Sequence, residues 1–192
     1  LARGRVKIIA GTGSNNTVEA LDLTRHAADT GADAALVITP YYNKPTAEGQ
    51  FLHYKRLSDA VDLPLVLYNV PSRTGISLAP ETIARLAELK NVVAIKEASD
   101  SIDQTSATLS LCSLTVLSGN DSMTLPMMAL GARGVISVAA NIVPREVKAL
   151  VDAALAGDLA RAREVHFRLM PLFRALFFET NPIPVKTAMA MM

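Results

Sequence analysis

The chain has 192 residues, half of them hydrophobic and only 5% aromatic, which is enough for one domain with a buried core. Its formal net charge is +1, with acidic and basic residues interspersed, so the charge pattern favours neither nucleic acid nor an anionic membrane as a partner. No apolar run approaches the roughly 18 residues of a membrane-spanning helix. The single Cys112 cannot form an intrachain disulfide. We therefore expect a soluble, cytoplasmic protein.

Short apolar runs alternate with helical patterns along the whole chain. The first run covers residues 6–10 and is followed by a helical pattern over residues 16–30 that Gly31 ends. Further apolar runs predict strands at residues 34–38, 64–68, 92–96, 114–117 and 135–138. The best marked helix covers residues 80–90, with Pro80 at its first position. This is a repeated βα pattern.

Repeated βα units with buried strands indicate either a doubly wound sheet or a (β/α)₈ barrel. The chain has no Gly-x-Gly-x-x-Gly fingerprint and no Gly-Lys-Ser/Thr phosphate loop, and chemically active residues follow several different strands, as in barrel enzymes. We predict an α/β fold with an incomplete TIM (β/α)₈ barrel, about strands 3 to 8, over residues 1–143. A C-terminal helical region is predicted over residues 144–192. The first two βα units would precede Leu1.

Lys96 ends the predicted strand of residues 92–96, directly after the apolar run Val-Val-Ala-Ile of residues 92–95. A strand with this composition is expected to be buried on both faces. Burial disfavours the charged ammonium, and an amine must be neutral to attack a carbonyl carbon. The alternative is that Lys96 extends to solvent and forms a surface ion pair with Glu97.

Two further side chains at strand ends suit the same chemistry. Tyr68 ends the strand one βα unit before Lys96 and could transfer the protons that imine formation requires. Arg73 lies in a loop with Pro71 and Gly75, and its planar guanidinium fits a substrate carboxylate. Alternatively, Tyr68 could be a tyrosine that only packs in the core, and Arg73 could be a solvated surface arginine. Because they follow consecutive strands together with Lys96, we interpret them as parts of one active site.

A set of short motifs, in order over nearly the whole chain, resembles the dihydrodipicolinate synthase (4-hydroxy-tetrahydrodipicolinate synthase) family of Schiff-base aldolases and lyases. The motifs are Gly11-Thr12-Gly13, Thr39-Pro40-Tyr41-Tyr42, Tyr68-Asn69-Val70-Pro71-Ser72-Arg73-Thr74-Gly75, Ile95-Lys96-Glu97, Ser118-Gly119-Asn120-Asp121, Gly134-Val135-Ile136-Ser137 and Asn181-Pro182-Ile183-Pro184-Val185-Lys186. The resemblance implies condensation of pyruvate with aspartate semialdehyde through a covalent lysine imine, without a cofactor, in a homotetramer built as a dimer of dimers.

The resemblance also implies roles for single residues. Lys96 would form the Schiff base with pyruvate, and Tyr68 would relay protons together with Tyr42 from a neighbouring subunit. Arg73 would hold the carboxylate of aspartate semialdehyde. The backbones of Gly119 and Ile136 would line the pyruvate pocket. The family's threonine pair, which completes the relay, has no counterpart in this sequence and would precede Leu1.

Feedback regulation is a further implication of the resemblance. Asn15, Glu19 and Tyr41 match positions that bind lysine at a subunit interface in regulated members of the family. The alternative is ordinary surface polarity with a packed ring. We expect no metal, because His26, His53 and His166 fall on separate predicted helices without the spacing of metal ligands.

Two other functions remain open. One is an N-acetylneuraminate lyase or keto-sugar-acid aldolase of the same superfamily, in which the lysine and tyrosine recur. Arg73 argues against it, since those lyases typically lack an arginine in this loop. The other is a barrel fragment that binds a ligand or partner without catalysis.

Overall fold

The structure, a computed structural model, describes residues 4–192. Five strands form one parallel sheet in chain order: β1 (Ile9–Gly11), β2 (Ala34–Ile38), β3 (Leu65–Asn69), β4 (Val92–Glu97) and β5 (Thr115–Ser118). The α-helices are α1 (Thr17–Asp29), α2 (Ala47–Ala60), α3 (Pro71–Thr74), α4 (Pro80–Ala87), α5 (Ile102–Leu111), α6 (Thr124–Ala129), α7 (Pro144–Leu155), α8 (Leu159–Ala175) and α9 (Ile183–Met191). The fold class is α/β, as predicted.

Helix starts and strand bounds follow local chemistry that is visible in the sequence. The side chain of Asn16 accepts hydrogen bonds from the amides of Val18 and Glu19 and so caps α1. The predicted first strand begins three residues late, at Ile9, because the amide of Ile8 donates to the carboxylate of Asp33 at 2.8 Å instead of to a strand. The second strand has the predicted bounds.

The predicted sixth strand over residues 135–138 is wrong. Only an isolated parallel bridge between Ser118 and Val135 forms there. The chain leaves the extended conformation because the carboxylate of Asp121 accepts the amide protons of Val138 and Ala139 at 3.1 and 3.0 Å. A 3₁₀ helix, Ala139–Asn141, starts at that point.

The pairing of β3 with β4 contains an irregularity that the sequence pattern did not reveal. Leu65 pairs with Val92, but the next residue, Val66, pairs with Ala94. Val93 is therefore an extra residue on β4, as in a β-bulge, and it is 45% exposed. The prediction that this strand is buried on both faces is wrong at Val93 and correct at Val92, Ala94 and Ile95, which are buried.

The chain divides into two compact units, the first ending at Thr115 and the second covering Val116–Met192. In the first unit the largest buried side chains lie on β2, β3, β4 and the helices beside them, among them Val37, Leu65, Leu67, Ile95, Tyr54 and Leu86. In the second unit the core lies between α7 and α8, with Leu150, Val165, Leu169 and Phe173 buried. The division predicted at residue 143, between barrel and C-terminal helices, stays a prediction.

Among residues 4–192, no helix is both long enough and apolar enough to cross a membrane.

His53 on α2 makes stability depend on pH. Its Nδ1 lies 2.9 Å from the hydroxyl of Thr17, while Nε2 is buried without a hydrogen-bond partner in the described part of the chain. Burial lowers the pKa of His53 to about 4, below the value of about 6.5 for an unfolded chain. The native state therefore binds fewer protons than the unfolded state. The stability that the neutral, buried His53 contributes is present above about pH 6.5 and is lost as the pH falls toward 4.

We expect the free energy of unfolding to fall by about 2 kcal/mol between about pH 7 and about pH 5 through His53. Denaturant titrations of the unsubstituted chain and of His53→Gln across this range measure it, since the variant cannot gain the proton. Parallel pH curves for the two proteins would contradict the assignment.

Candidate active site

Tyr68 and Lys96 lie side by side at the carboxyl ends of adjacent parallel strands. They are direct partners in the register of β3 and β4. The ammonium nitrogen of Lys96 is 4.1 Å from the centroid of the Tyr68 ring, which is a cation–π contact. Both side chains are half-buried. The structure thus brings together the two residues that the sequence predicted for imine chemistry and proton transfer.

These two side chains end an apolar face of the sheet. Alternation along each strand places Tyr68 on the same face as Val66, and Lys96 on the same face as Ala94. Val66 and Ala94 pack with Ala34 in one buried cluster. The half-buried side chain of Lys96 thus lies at the edge of this apolar surface.

The alternative of a surface ion pair between Lys96 and Glu97 does not fit the structure. Consecutive residues of a strand point to opposite faces, and Glu97 is only 3% exposed. Its carboxylate accepts hydrogen bonds from the side chain of Asn69 and the amide of Ser99. Glu97 therefore belongs to a buried network on the far face of the sheet, a role that the sequence analysis did not predict.

Arg73 lies on α3, directly after β3. Pro71 occupies the first helical turn, and Gly75 ends the helix with φ +72°, a left-handed conformation that favours glycine. The Arg73 side chain is exposed. Burial raises the pKa of the Tyr68 hydroxyl, and the positive charge of Arg73 acts in the opposite direction. The guanidinium is thus close enough to act electrostatically on Tyr68.

Tyr42 differs from the other candidates because it points away from its own chain. Its side chain is 88% exposed, and its backbone has φ +69°, which is unusual for a residue with a large side chain. The structure does not bring Tyr42 into the Tyr68–Lys96 pair. An aromatic side chain presented in this way is available to a neighbouring molecule.

Of the three candidate regulatory residues, Asn15 lies in the loop after β1, Tyr41 lies in the loop after β2, and Glu19 lies in the first turn of α1. The side-chain amide of Asn15 donates to the backbone oxygen of Tyr41 at 3.2 Å, and the Asn43 amide donates back to the oxygen of Asn15 at 3.1 Å. Glu19 accepts a hydrogen bond from the hydroxyl of Ser14, the neighbour of Asn15. Asn15 and Tyr41 are therefore in contact, with Glu19 one helical turn away.

Gly119 and Ile136 belong to the second unit. The amide of Ile136 donates to the oxygen of Ser118 at 2.9 Å, so the two candidate segments run side by side. Asp121 is buried and ties them together, because its carboxylate also accepts a hydrogen bond from the Ser137 hydroxyl. Gly119 and Ile136 are both half-buried. Gly119 directly follows β5, and Ile136 lies beside the end of that strand.

No group of three or more His, Cys, Asp or Glu side chains within residues 4–192 could hold a metal ion. His26, His53 and His166 lie on α1, α2 and α8, which are separate helices as predicted. Cys112 follows the last residue of α5 and is half-buried.

Several proteins similar to this chain are 4-hydroxy-tetrahydrodipicolinate synthases. A family model described as "Dihydrodipicolinate synthetase family" matches residues 1–192. The chain is 60% identical over 190 residues to 4-hydroxy-tetrahydrodipicolinate synthase of Geotalea uraniireducens, covering 98% of this chain and 66% of the relative. It is 58% identical to the enzyme of the same name from Methanothrix thermoacetophila, covering 97% of this chain and 64% of the relative.

Solved structures agree with these relatives. Dihydrodipicolinate synthase from Aquifex aeolicus superposes with a TM-score of 0.96 at 56% identity, covering 97% of this chain and 65% of that one. The enzyme from Thermotoga maritima gives a TM-score of 0.97 at 48% identity, with 99% and 66% covered. The chain thus spans about two thirds of the length of the proteins it matches. It belongs to the dihydrodipicolinate synthetase family.

Proposed function

We propose that this chain, within a protein of its relatives' full length, catalyses the condensation of pyruvate with L-aspartate 4-semialdehyde to 4-hydroxy-tetrahydrodipicolinate, a step in lysine and diaminopimelate biosynthesis. The observation that carries the proposal is the contact between Lys96 and Tyr68, 4.1 Å from nitrogen to ring centroid at adjacent strand ends. The relative from Geotalea uraniireducens that bears this enzyme's name is 60% identical to the chain.

The reaction would begin at the nitrogen of Lys96. The neutral amine attacks the ketone carbon of pyruvate and water leaves, which gives an imine. Loss of a methyl proton converts the imine to an enamine, whose carbon attacks the aldehyde of aspartate semialdehyde. The substrate's own amino group then displaces Lys96 as the ring closes, so that one water is released overall and the lysine is regenerated. No cofactor takes part.

The hydroxyl of Tyr68 would carry protons to and from the oxygen that becomes the leaving water, because general acid–base catalysis is needed at that step. Tyr42 would complete this relay in the site of a neighbouring subunit. Its 88% exposure supports that role. The guanidinium of Arg73 would bind the carboxylate of the aldehyde substrate as a bidentate partner.

The five strands and the Ser118–Val135 bridge would correspond to about strands 3 to 8 of a (β/α)₈ barrel. Support comes from β1, the first strand in the sheet order. Its first residue, Ile9, is 43% exposed, and Val6 and Ile8 just before it are 63% and 43% exposed. Apolar side chains next to an unpaired strand edge are suited to further strands. The whole protein would be a cytoplasmic homotetramer, a dimer of dimers.

Two further roles follow from the family. The backbones of Gly119 and Ile136 would line the pyruvate pocket. Asn15, Glu19 and Tyr41 would bind lysine as a feedback inhibitor. The hydrogen bond between Asn15 and Tyr41 supports the second role, since it brings two of the three residues together.

Covalent trapping tests the proposed function. A protein of full family length that contains this sequence is incubated with pyruvate and reduced with borohydride, and its peptides are analysed by mass spectrometry. We expect the reduced pyruvate adduct on Lys96, together with turnover of pyruvate and aspartate semialdehyde. An adduct on Lys44 or Lys186, or cleavage of N-acetylneuraminate in place of the condensation, would contradict the proposal.

Arg73 offers a separate test of substrate choice. Removing the guanidinium group in Arg73→Ala should raise the KM for aspartate semialdehyde by roughly 10- to 100-fold. Trapping of pyruvate on Lys96 should persist, because the proposed contact of Arg73 is with the second substrate only. Arg73→Lys should not restore the KM, since a lysine cannot bind a carboxylate through two parallel hydrogen bonds. Steady-state kinetics with each substrate varied measure the effect.

The matched control for this test is Arg56→Ala, which removes an exposed arginine from α2 and should leave both KM values unchanged. Equal losses toward pyruvate and aspartate semialdehyde in Arg73→Ala would count against the proposed contact.

A further inference from the structure

Asn69 and Glu97 form a buried pair directly behind the Tyr68–Lys96 pair. Each is the next residue in its strand, and the two are partners in the register of β3 and β4. Asn69 is fully buried and Glu97 is 3% exposed. Because side chains alternate along a strand, this second pair projects to the opposite face of the sheet from Tyr68 and Lys96.

The hydrogen bonds of this pair define the direction of both side chains. The amide nitrogen of Asn69 donates to the two carboxylate oxygens of Glu97 at 3.1 and 3.0 Å. The amide oxygen of Asn69 accepts the backbone N–H of Leu78 at 3.0 Å. One oxygen of Glu97 accepts the backbone N–H of Ser99 at 2.8 Å. The pair therefore connects the ends of both strands to the segments that follow them.

A buried carboxylate contributes little net free energy to the stability of a fold. Desolvation penalises the charge, and well-packed apolar residues of similar volume often serve stability as well or better. Burial accordingly raises the pKa of Glu97, against the hydrogen bonds from Asn69 and Ser99. The hydrogen bonds of such a pair are directional. They fix the spacing and rotation of the two strand ends that carry Tyr68 and Lys96.

We propose that Asn69 and Glu97 are positioning residues that hold Tyr68 and Lys96 in the geometry for imine formation. The inference rests on the proposed function and extends it to two residues that do not touch the substrate. Displacing a reacting group by about 1 Å can cost roughly 100-fold in rate, so a small rotation of either strand end would be visible in the kinetics.

The first variant, Glu97→Gln, keeps the shape of the side chain but breaks the pattern of donors and acceptors. The new amide nitrogen would face the amide nitrogen of Asn69, whose oxygen is already committed to Leu78. We expect the rate of imine formation with pyruvate, and kcat, to fall by roughly 10- to 100-fold. The KM for aspartate semialdehyde should change by less than about twofold, because Arg73 is untouched.

The second variant, Asn69→Asp combined with Glu97→Gln, exchanges the two groups. The new carboxylate on β3 would accept from the amide of Leu78 with one oxygen and from the new side-chain amide on β4 with the other. The oxygen of that side-chain amide would accept from Ser99. The hydrogen bonds from the amides of Leu78 and Ser99 are thereby kept, and the bond between the two side chains is restored with its direction reversed. We expect the double variant to recover the rate of imine formation to within about threefold of the original, because the effects of substitutions at two residues in contact are not additive.

The matched control is Asn91→Ala. Asn91 is also buried, next to the opposite end of β4, and donates at 2.9 Å to the oxygens of both Val61 and Leu63. This variant should lose stability but keep the rate of imine formation at temperatures where it is folded. All rates are measured by stopped-flow and borohydride trapping, well below the melting temperature of each variant.

The outcomes separate the inference from the function on which it rests. A normal rate in folded Glu97→Gln, or a double variant that regains stability but not rate, would overturn the positioning role. If the unsubstituted protein forms no adduct at Lys96, the proposed function itself fails, and the inference fails with it.

Discussion

Lys96→Arg is expected to lower kcat for pyruvate and aspartate semialdehyde by about 10³-fold or more, and to abolish borohydride trapping. The substitution keeps the length and positive charge of the side chain, so the contact with the Tyr68 ring can persist. A guanidinium stays protonated at any accessible pH, however, and cannot form the imine. Losses of this size are typical when a covalent nucleophile is removed.

Lys90→Arg serves as the control for this substitution, since Lys90 is exposed and pairs with Asp62 at the surface. It should leave kcat unchanged. Near-normal turnover in Lys96→Arg would show that the reaction does not pass through this lysine.

Tyr68→Phe is expected to lower kcat by roughly 100-fold while the protein keeps its stability. The ring that contacts Lys96 remains, and only the hydroxyl that transfers protons is lost. The same hydroxyl should set the alkaline limb of the pH–rate profile. Burial raises the pKa of Tyr68 and the charge of Arg73 lowers it, so Arg73→Ala should move that limb to higher pH.

Tyr54→Phe is the complementary control. Tyr54 is fully buried on α2, and its hydroxyl donates to the oxygen of Val37 at 3.2 Å. Removing this hydroxyl should cost about 1 kcal/mol of stability and leave kcat unchanged. If Tyr68→Phe lowers the stability but not kcat, then Tyr68, like Tyr54, has a structural role and does not transfer protons.

The proximity of Lys96 and Tyr68 could be predicted because it depends on local sequence. Lys96 and Tyr68 end apolar strands of adjacent βα units, and parallel strands bring such ends together. Arg73 could be placed near them because Pro71 and Gly75 fix the turn that follows β3. These patterns involve residues that are close in the sequence, so they can be recognised without the tertiary structure.

The partners of those residues could not be predicted. Whether Glu97 would pair with Lys96 or with Asn69 depends on which strand faces which, and both choices are plausible from composition alone. The predicted sixth strand failed for a similar reason. Its sequence, Val-Ile-Ser-Val, suits a strand, but the carboxylate of Asp121, 17 residues earlier in the chain, accepts the amide of Val138 and begins a 3₁₀ helix.

The extra residue at Val93 separates the length of β4 from its pairing. Residues 94–97 take their register from residues 66–69 of β3 and not from the start of their own strand. A chain lacking Val93 could form the same four pairs without an irregularity. The present chain in a regular strand would instead pair Lys96 with Asn69 and turn it to the face of the sheet opposite Tyr68. An insertion or deletion at this position can therefore be absorbed before Lys96, so it need not change the pairing of Lys96 with Tyr68.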